Sequence, residues 1–337
     1  MRRRFFLQSI LGGLAGSALL YNFKAQGSEI LLDDPAKKKI RFGICADVHQ
    51  DFFYKVEERI QEFVQVANEK KVDFIIHLGD FCFPKEENKN FMSIWNSFNG
   101  PKYHVLGNHD MDKCSKEEIL DFWGADKTRS YYSFDFESYH FIVLDPNNIY
   151  KDGHYIPYNK RNYSSEGNID YITPEQMDWL GKDLSKTSKP TLIFSHQPLL
   201  TVSNRNEVLA VLKEANNGSS KKVIACFSGH LHRNWHVEES SINHIQINSM
   251  SYMWVGNNYI CESRYPEEVE EQFPLLKKVI PYKDALYCFV ELDLETKEIR
   301  IEGKSSEFIH PDPYEMGIKE TGRSAPSPSI DSRIIKF

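Results

Sequence analysis

Five short segments of this 337-residue chain repeat one design, and that repetition constrains the fold more than any other feature. In each, an apolar run stops and a residue of the metal-binding type follows at once. They are Gly43-Ile44-Cys45-Ala46-Asp47-Val48-His49, His77-Leu78-Gly79-Asp80, Val105-Leu106-Gly107-Asn108-His109-Asp110, Phe194-Ser195-His196 and Phe227-Ser228-Gly229-His230-Leu231-His232. Strand ends are where α/β sheets gather ligands, because loops converge there on a rigid scaffold. Between them the chain alternates strand and helix signals. Apolar runs at 40–45, 72–78 and 103–106 read as strands, and Val56, Ile60, Phe63, Val64 and Ala67 recur at helical spacing. A β–α–β rhythm of this kind implies a sheet with helical crossovers.

Taken singly, the segments say little. Gly-Asp is usually a turn, and a lone histidine is usually a satisfied polar residue. Gly-His-x-His is more specific, because alternating histidines at a strand end are expected to project the same way. The order of all five carries the argument, and in that order the sequence resembles the calcineurin-like metallophosphoesterases, from Asp47 to His232 without a missing ligand. The resemblance implies an α/β fold: a two-sheet β-sandwich flanked by helices, in four layers αββα. It implies that Asp47, His49 and His232 hold one metal ion, that Asn108, His196 and His230 hold a second, and that Asp80 bridges them. His109 would stand beside the ions as acid or charge stabiliser, oriented by Asp110. Phe83 occupies the place where purple acid phosphatases of this superfamily carry an iron-binding tyrosine, so an Fe(III)–tyrosinate centre is excluded.

Chemistry supports the same ligand set. Mixed imidazole and carboxylate donors suit Mn, Fe or Zn and disfavour Mg and Ca. Two divalent ions exceed the charge of Asp47 and Asp80, attract a phosphate ester and lower the pKa of a bridging water to give a hydroxide nucleophile. The expected activity is hydrolysis of a small phosphodiester or nucleotide-type ester. A phosphomonoesterase and a non-catalytic metal-binding module are the alternatives.

Further along, 131–136 and 139–144 read as a hairpin about Glu137-Ser138, and Thr173-Pro174 as a helix start. Residues 191–194, 223–227, 242–247 and 286–292 read as strands, with a helix at 207–215. The polar, tyrosine-rich stretch 147–173 is too long for an ordinary connection. Within it His154, Tyr155 and Arg161 are candidate substrate contacts, and Tyr252, Trp254 and Tyr259 form a second aromatic group. His77, His104, His140, His236 and His244 lie in strand-like runs and read as structural. The six cysteines form no Cys-x-x-Cys pair; Cys45, Cys226 and Cys288 read as core, and the sequence assigns no disulfide.

A net charge of −7 argues against a nucleic-acid scaffold, and no stable protein partner is evident in the sequence. Residues 1–27 pair Arg3-Arg4 with Phe5-Phe6-Leu7 and a short apolar stretch, the layout of a twin-arginine export signal. The expectation is a protein passed to twin-arginine-type export machinery and located in the periplasm or otherwise outside the cytoplasm, or held at the membrane if the signal stays. The phosphoesterase domain is expected over 38–308, followed by a loosely packed Pro/Ser-rich tail at 309–337.

Overall fold

The structure, a computed structural model, describes residues 37–218 and 221–337. The expected export signal lies outside the described residues. Strand β1 (Lys39–Cys45) shows why a sandwich forms. Ile40, Phe42 and Ile44 alternate onto one face and enter the interior between two sheets, while Cys45 faces the helices on the other side. From Phe42 to Cys45 both faces are covered, and that part of the run is apolar throughout.

Parallel strands β2 (Phe74–His77) and β3 (Lys102–His104) follow β1 on one side. The second sheet is built from β4 (Tyr132–Phe136), β5 (Tyr139–Val143), β8 (Thr191–Ser195), β9 (Val223–Ser228), β10 (Trp235–Glu239) and β11 (Ile242–Gln246), in the order β10-β11-β9-β8-β5-β4. Two small two-stranded sheets stand apart: β6 (Asn148–Lys151) with β7 (His154–Pro157), and β12 (Tyr252–Trp254) with β13 (Val279–Pro281). Antiparallel β14 (Cys288–Asp293), β15 (Glu298–Glu302) and β16 (Arg333–Lys336) complete the first sheet, whose order is β16-β15-β14-β1-β2-β3.

Aromatic rings fill the space between the sheets. Phe42 stacks on Phe74 at 4.7 Å and meets Phe141 and Phe194 edge-on at 5.9 and 6.1 Å. Helices α1 (Val56–Glu69), α2 (Lys89–Asn96) and α3 (Lys116–Trp123) bring Phe63, Trp95 and Trp123 into one cluster with Ile75 and Phe289 of the first sheet. Helices α4 (Pro174–Lys186) and α5 (Arg205–Ala215) pack Leu180, Leu184, Val208 and Leu212 with Ile142, Ile193 and Cys226 of the second. The result is the expected α/β sandwich in four layers. Thr173 caps α4 through its hydroxyl to the Gln176 N–H at 3.2 Å, with Pro174 in the first turn.

Two regions differ from the sequence reading. The stretch 147–173 holds the β6–β7 hairpin rather than open loop. The tail 309–337 is not loosely packed: β16 pairs with β15, and Ile318, Ile330 and Ile335 enter the inter-sheet core. Arg333-Ile334-Ile335-Lys336 supplies an edge strand that buries Ile335 and leaves Ile334 61% exposed. The compact unit therefore includes the residues up to Phe337. All six cysteines are free thiols.

Candidate metal centre

The five segments come together beyond the ends of β1, β2, β3, β8 and β9. After β1, β2 and β9 the chain leaves the sheet abruptly, and the backbone records this. Asp47, His49, Asp80, His230 and His232 all have φ between 49° and 75°. Non-glycine residues adopt that left-handed conformation rarely, and such strain collects at functional sites. Gly79 (φ 92°) and Gly107 make the crowding possible. A Cβ on Gly79 would lie 2.6 Å from the Gly107 nitrogen and 2.7 Å from His196 Nδ1.

Seven side chains converge in two groups. Asp47, His49 and His232 each offer one ligand atom within a common 4.8 Å span, and Asp80, His196 and His230 do the same. Asp80 joins them: its Oδ2 is 3.2 Å from His196 Nε2 and 3.7 Å from His49 Nε2. Asn108 Oδ1 lies 3.1 Å from His196 Nε2, which adds it to the second group. His230 and His232 do not project the same way from a strand, as alternation would require. β9 ends at Ser228, and the left-handed turns send His230 Nδ1 to His196 (3.2 Å) and His232 Nε2 to Asp47 (3.2 Å).

The hydrogen bonds around these side chains show what the centre is built to hold. His196 Nδ1–H donates to the Leu78 carbonyl at 2.7 Å and His232 Nδ1–H to the Tyr252 carbonyl at 2.9 Å. In the neutral imidazoles their Nε2 atoms are therefore bare lone pairs, open to a cation. His196 Nε2 faces the Asn108 and Asp80 oxygens, acceptor against acceptor, and His49 Nε2 faces His232 Nε2 at 3.1 Å while its own Nδ1 is buried with no partner. Acceptors crowded at such distances in a buried site repel one another unless a cation lies among them. Burial alone would lower the His196 pKa, yet Asp80 and then Asp47 raise it to about 10, so positive charge is strongly favoured at this point, carried by a proton on Nε2 or by a cation in its place. His49 goes the other way: burial, against Asp80, presses it down to about 3, leaving a neutral ligand-type imidazole. The donor set fits a pair of divalent transition-metal ions.

His109 stands beside the pair, a third exposed, with its backbone N–H donating to Asp80 Oδ1 at 2.8 Å. Its orienting partner is not the expected Asp110. Asp110 turns inward and accepts three backbone N–H groups, from Asp80 (3.0 Å), Phe81 (2.6 Å) and Gly107 (2.8 Å), locking two ligand loops together. His109 Nδ1 is held instead by Asp112 Oδ2 at 2.9 Å. A short 3₁₀ turn (His109–Met111) explains the exchange, because side chains three apart eclipse on such a turn and adjacent ones diverge. Sequence reasoning missed Asp112, although the spacing His109-Asp110-Met111-Asp112 carried that signal.

The centre opens into a cleft of about 390 Å³ walled by Phe52, Tyr252, Trp254, Arg161 and Arg233. Of the candidate substrate contacts in 147–173, Arg161 reaches this cleft. His154 and Tyr155 do not line it: they sit on β7, where Tyr155 packs with Tyr150 and Tyr171. His77, His104, His140 and His236 hydrogen-bond inside the protein, away from the ligand groups.

Fold and site together define a metal-dependent phosphoester hydrolase with a two-ion centre. The calcineurin-like phosphoesterase family model matches residues 40–234, more than half of the chain, and the protein belongs to that family. Among curated proteins it is similar to a manganese-dependent ADP-ribose/CDP-alcohol diphosphatase of Oryza sativa subsp. japonica, 25% identical over an alignment of 234 residues, with 55% of this chain and 71% of the relative covered. The Arabidopsis thaliana protein of the same name is 26% identical over an alignment of 230 residues, with 55% of this chain and 73% of its own covered. Among solved structures, a dimetal phosphatase from Danio rerio superposes with a TM-score of 0.55 at 17% identity, covering 82% of this chain and 99% of that one, a likeness of fold.

Proposed function

We propose that the chain hydrolyses a small phosphodiester of the nucleotide type, a nucleoside diphosphate ester above all. The observation that carries this is the cleft, where Phe52, Tyr252 and Trp254 stand beside Arg161 and Arg233 directly over the two ligand groups. Aromatic faces suit a base, and guanidinium groups suit a phosphate next to the one being cut. Trp254 is 44% exposed and Arg161, whose Nη1 lies 4.0 Å from Asp112 Oδ2, has a 59% exposed side chain, so both are open to the cleft. The rice and Arabidopsis relatives are named for substrates of this chemistry.

In this reading Asp47, His49 and His232 hold one ion, Asn108, His196 and His230 the other, and Asp80 lies between. The chemistry such a pair supplies when bound is neutralisation of phosphoryl oxygens and activation of water at neutral pH. His109 donates a proton from Nε2 to the leaving oxygen, since Nδ1 is engaged by Asp112. Burial works to lower the His109 pKa, but Asp80 and Asp112 raise it above its ordinary value, which keeps that proton in place. Phe52 packs edge-on against His109 at 5.4 Å and shields one side of the acid from water.

The test is a panel with Mn(II): ADP-ribose, CDP-alcohols, p-nitrophenyl phosphate, bis-p-nitrophenyl phosphate and phosphopeptides. The expected result is a kcat/KM at least about tenfold higher on the nucleoside diphosphate esters, worth about 1.4 kcal/mol of recognition. Preference for phosphopeptides overturns the reading. Export by a twin-arginine route is proposed on Arg3-Arg4-Phe5-Phe6-Leu7 alone. Cell fractionation of the full chain against an Arg3→Lys/Arg4→Lys variant tests it, and an unchanged distribution rejects it.

A further inference from the structure

Asp112 is an almost fully buried carboxylate whose two oxygens have different duties. Oδ2 holds His109 Nδ1 at 2.9 Å, and Oδ1 accepts the Tyr163 hydroxyl at 2.5 Å. The same phenol oxygen accepts Asn108 Nδ2 at 3.3 Å, which fixes that amide with Oδ1 turned towards His196. Without this hold, the amide could rotate and present NH2 where a ligand oxygen is required. One carboxylate thus sets both the acid and, through one phenol, a ligand of the second ion.

The surrounding chain is built to keep it so. Tyr163 comes from the 147–173 stretch, yet its segment is strapped to the His109 turn by two backbone hydrogen bonds, Lys160 N–H to the Cys114 carbonyl and Arg161 N–H to the Met111 carbonyl, each 3.1 Å. Its ring stacks on buried Tyr158 at 4.5 Å, and Tyr158 is itself anchored to Asp170 at 2.8 Å.

We infer that Asp112 and Tyr163 are positioning residues that couple the leaving-group acid to the second metal site, so that a single substitution at Asp112 impairs proton donation and metal affinity together. The inference rests on His109 being the acid of the proposed function. No catalytic role follows for Asp110, whose carboxylate is spent on backbone.

The experiment compares wild type with Asp112→Asn, Asp112→Ala, Tyr163→Phe and His109→Ala by two readouts. The first is kcat on diesters with a p-nitrophenolate and with an alkoxide leaving group, because only the poor leaving group needs a proton. The second is Mn(II) titration calorimetry without substrate. Asp112→Ala is expected to lower kcat about 100-fold on the alkoxide ester and less than about threefold on the p-nitrophenyl ester. It should also weaken one of two manganese sites about tenfold. Tyr163→Phe should reproduce the metal effect and leave the leaving-group effect small, with Asp112→Asn between. In a His109→Ala background, Asp112→Ala should add no further leaving-group effect, as members of one unit do. Wild-type manganese affinity in both Tyr163→Phe and Asp112→Ala overturns the coupling. If His109→Ala itself shows no leaving-group dependence, it is the acid role that falls, and the calorimetric comparison still decides on Asp112 and Tyr163.

Discussion

Of the imidazoles that face each other inside this protein, two pairs have opposite meanings. In the core, His77 Nε2 lies 2.7 Å from His104 Nδ1. At the metal centre, His49 Nε2 lies 3.1 Å from His232 Nε2. Burial, the leading cause in each case, keeps His104 and His49 alike neutral, both at about 3. What separates the pairs is the second ring nitrogen. His77 Nδ1 accepts the Gly79 N–H at 3.3 Å, so its Nε2 carries hydrogen and completes a bond to His104. His232 Nδ1 donates to a carbonyl, so its Nε2 is an acceptor towards Asp47 and His49, while His49 Nδ1 has no partner at all, so that neither tautomer of His49 satisfies both of its nitrogens. The core pair is a finished hydrogen bond enclosed by Phe81, Trp95 and Trp123; the other is left incomplete in a group of side chains that could hold a metal ion. A histidine's ligand character is thus written in what its far nitrogen does.

This contrast can be broken at several points. The largest effect is expected at Asp80, shared by both ligand groups: Asp80→Ala should lower kcat/KM by about 10³-fold or more and remove both manganese ions by metal analysis. Retention of two ions would show that Asp80 does not bridge. Next come the pairs themselves. His49→Ala should reduce bound manganese from two to one with a modest change in melting. His77→Ala should keep both ions and cost about 3–5 kcal/mol in urea unfolding, because it leaves a cavity among aromatic rings and an unpaired His104. Loss of an ion from His77→Ala would erase the distinction.

A smaller effect is expected from pH. His77 and His104 sit below their ordinary value, burial being the main cause. Below pH 6.5 the unfolded chain takes up protons that the folded pair refuses, so their contribution is complete above 6.5 and shrinks as pH falls towards 3. By pH 5 the expected loss is about 2 kcal/mol for each. It should disappear in a His77→Phe/His104→Leu variant, and unfolding midpoints at pH 7.5 and 5 with chelator present measure it.

The convergence of the seven side chains was legible in the sequence because each follows an apolar run directly, so that chemistry and strand end coincide in a few residues. The four-layer arrangement was legible for the same reason, through runs such as 40–45 and 223–227. What escaped was relational. Asp110 adjoins His109 in sequence but diverges from it on a 3₁₀ turn, and Asp112 meets Tyr163 only because a strap across 51 residues brings them together. Gly-His-x-His suggested strand alternation, which left-handed turns at His230 and His232 replace. In the tail, Arg333-Ile334-Ile335-Lys336 is too short for a periodic signal and acquires its strand character from β15.

The left-handed turns carry one more consequence. A non-glycine residue held there costs on the order of 1–2 kcal/mol, and five ligand residues are held so. Selection for a sturdier polypeptide and selection for a loaded one therefore pull in opposite directions at the same codons. His230→Gly in chelator should melt no lower than the parent despite losing a side chain, and well below it once manganese is added. A lineage relieved of the need for catalysis would drift first at these positions, towards glycine and asparagine, and gain thermal tolerance as it lost its ions.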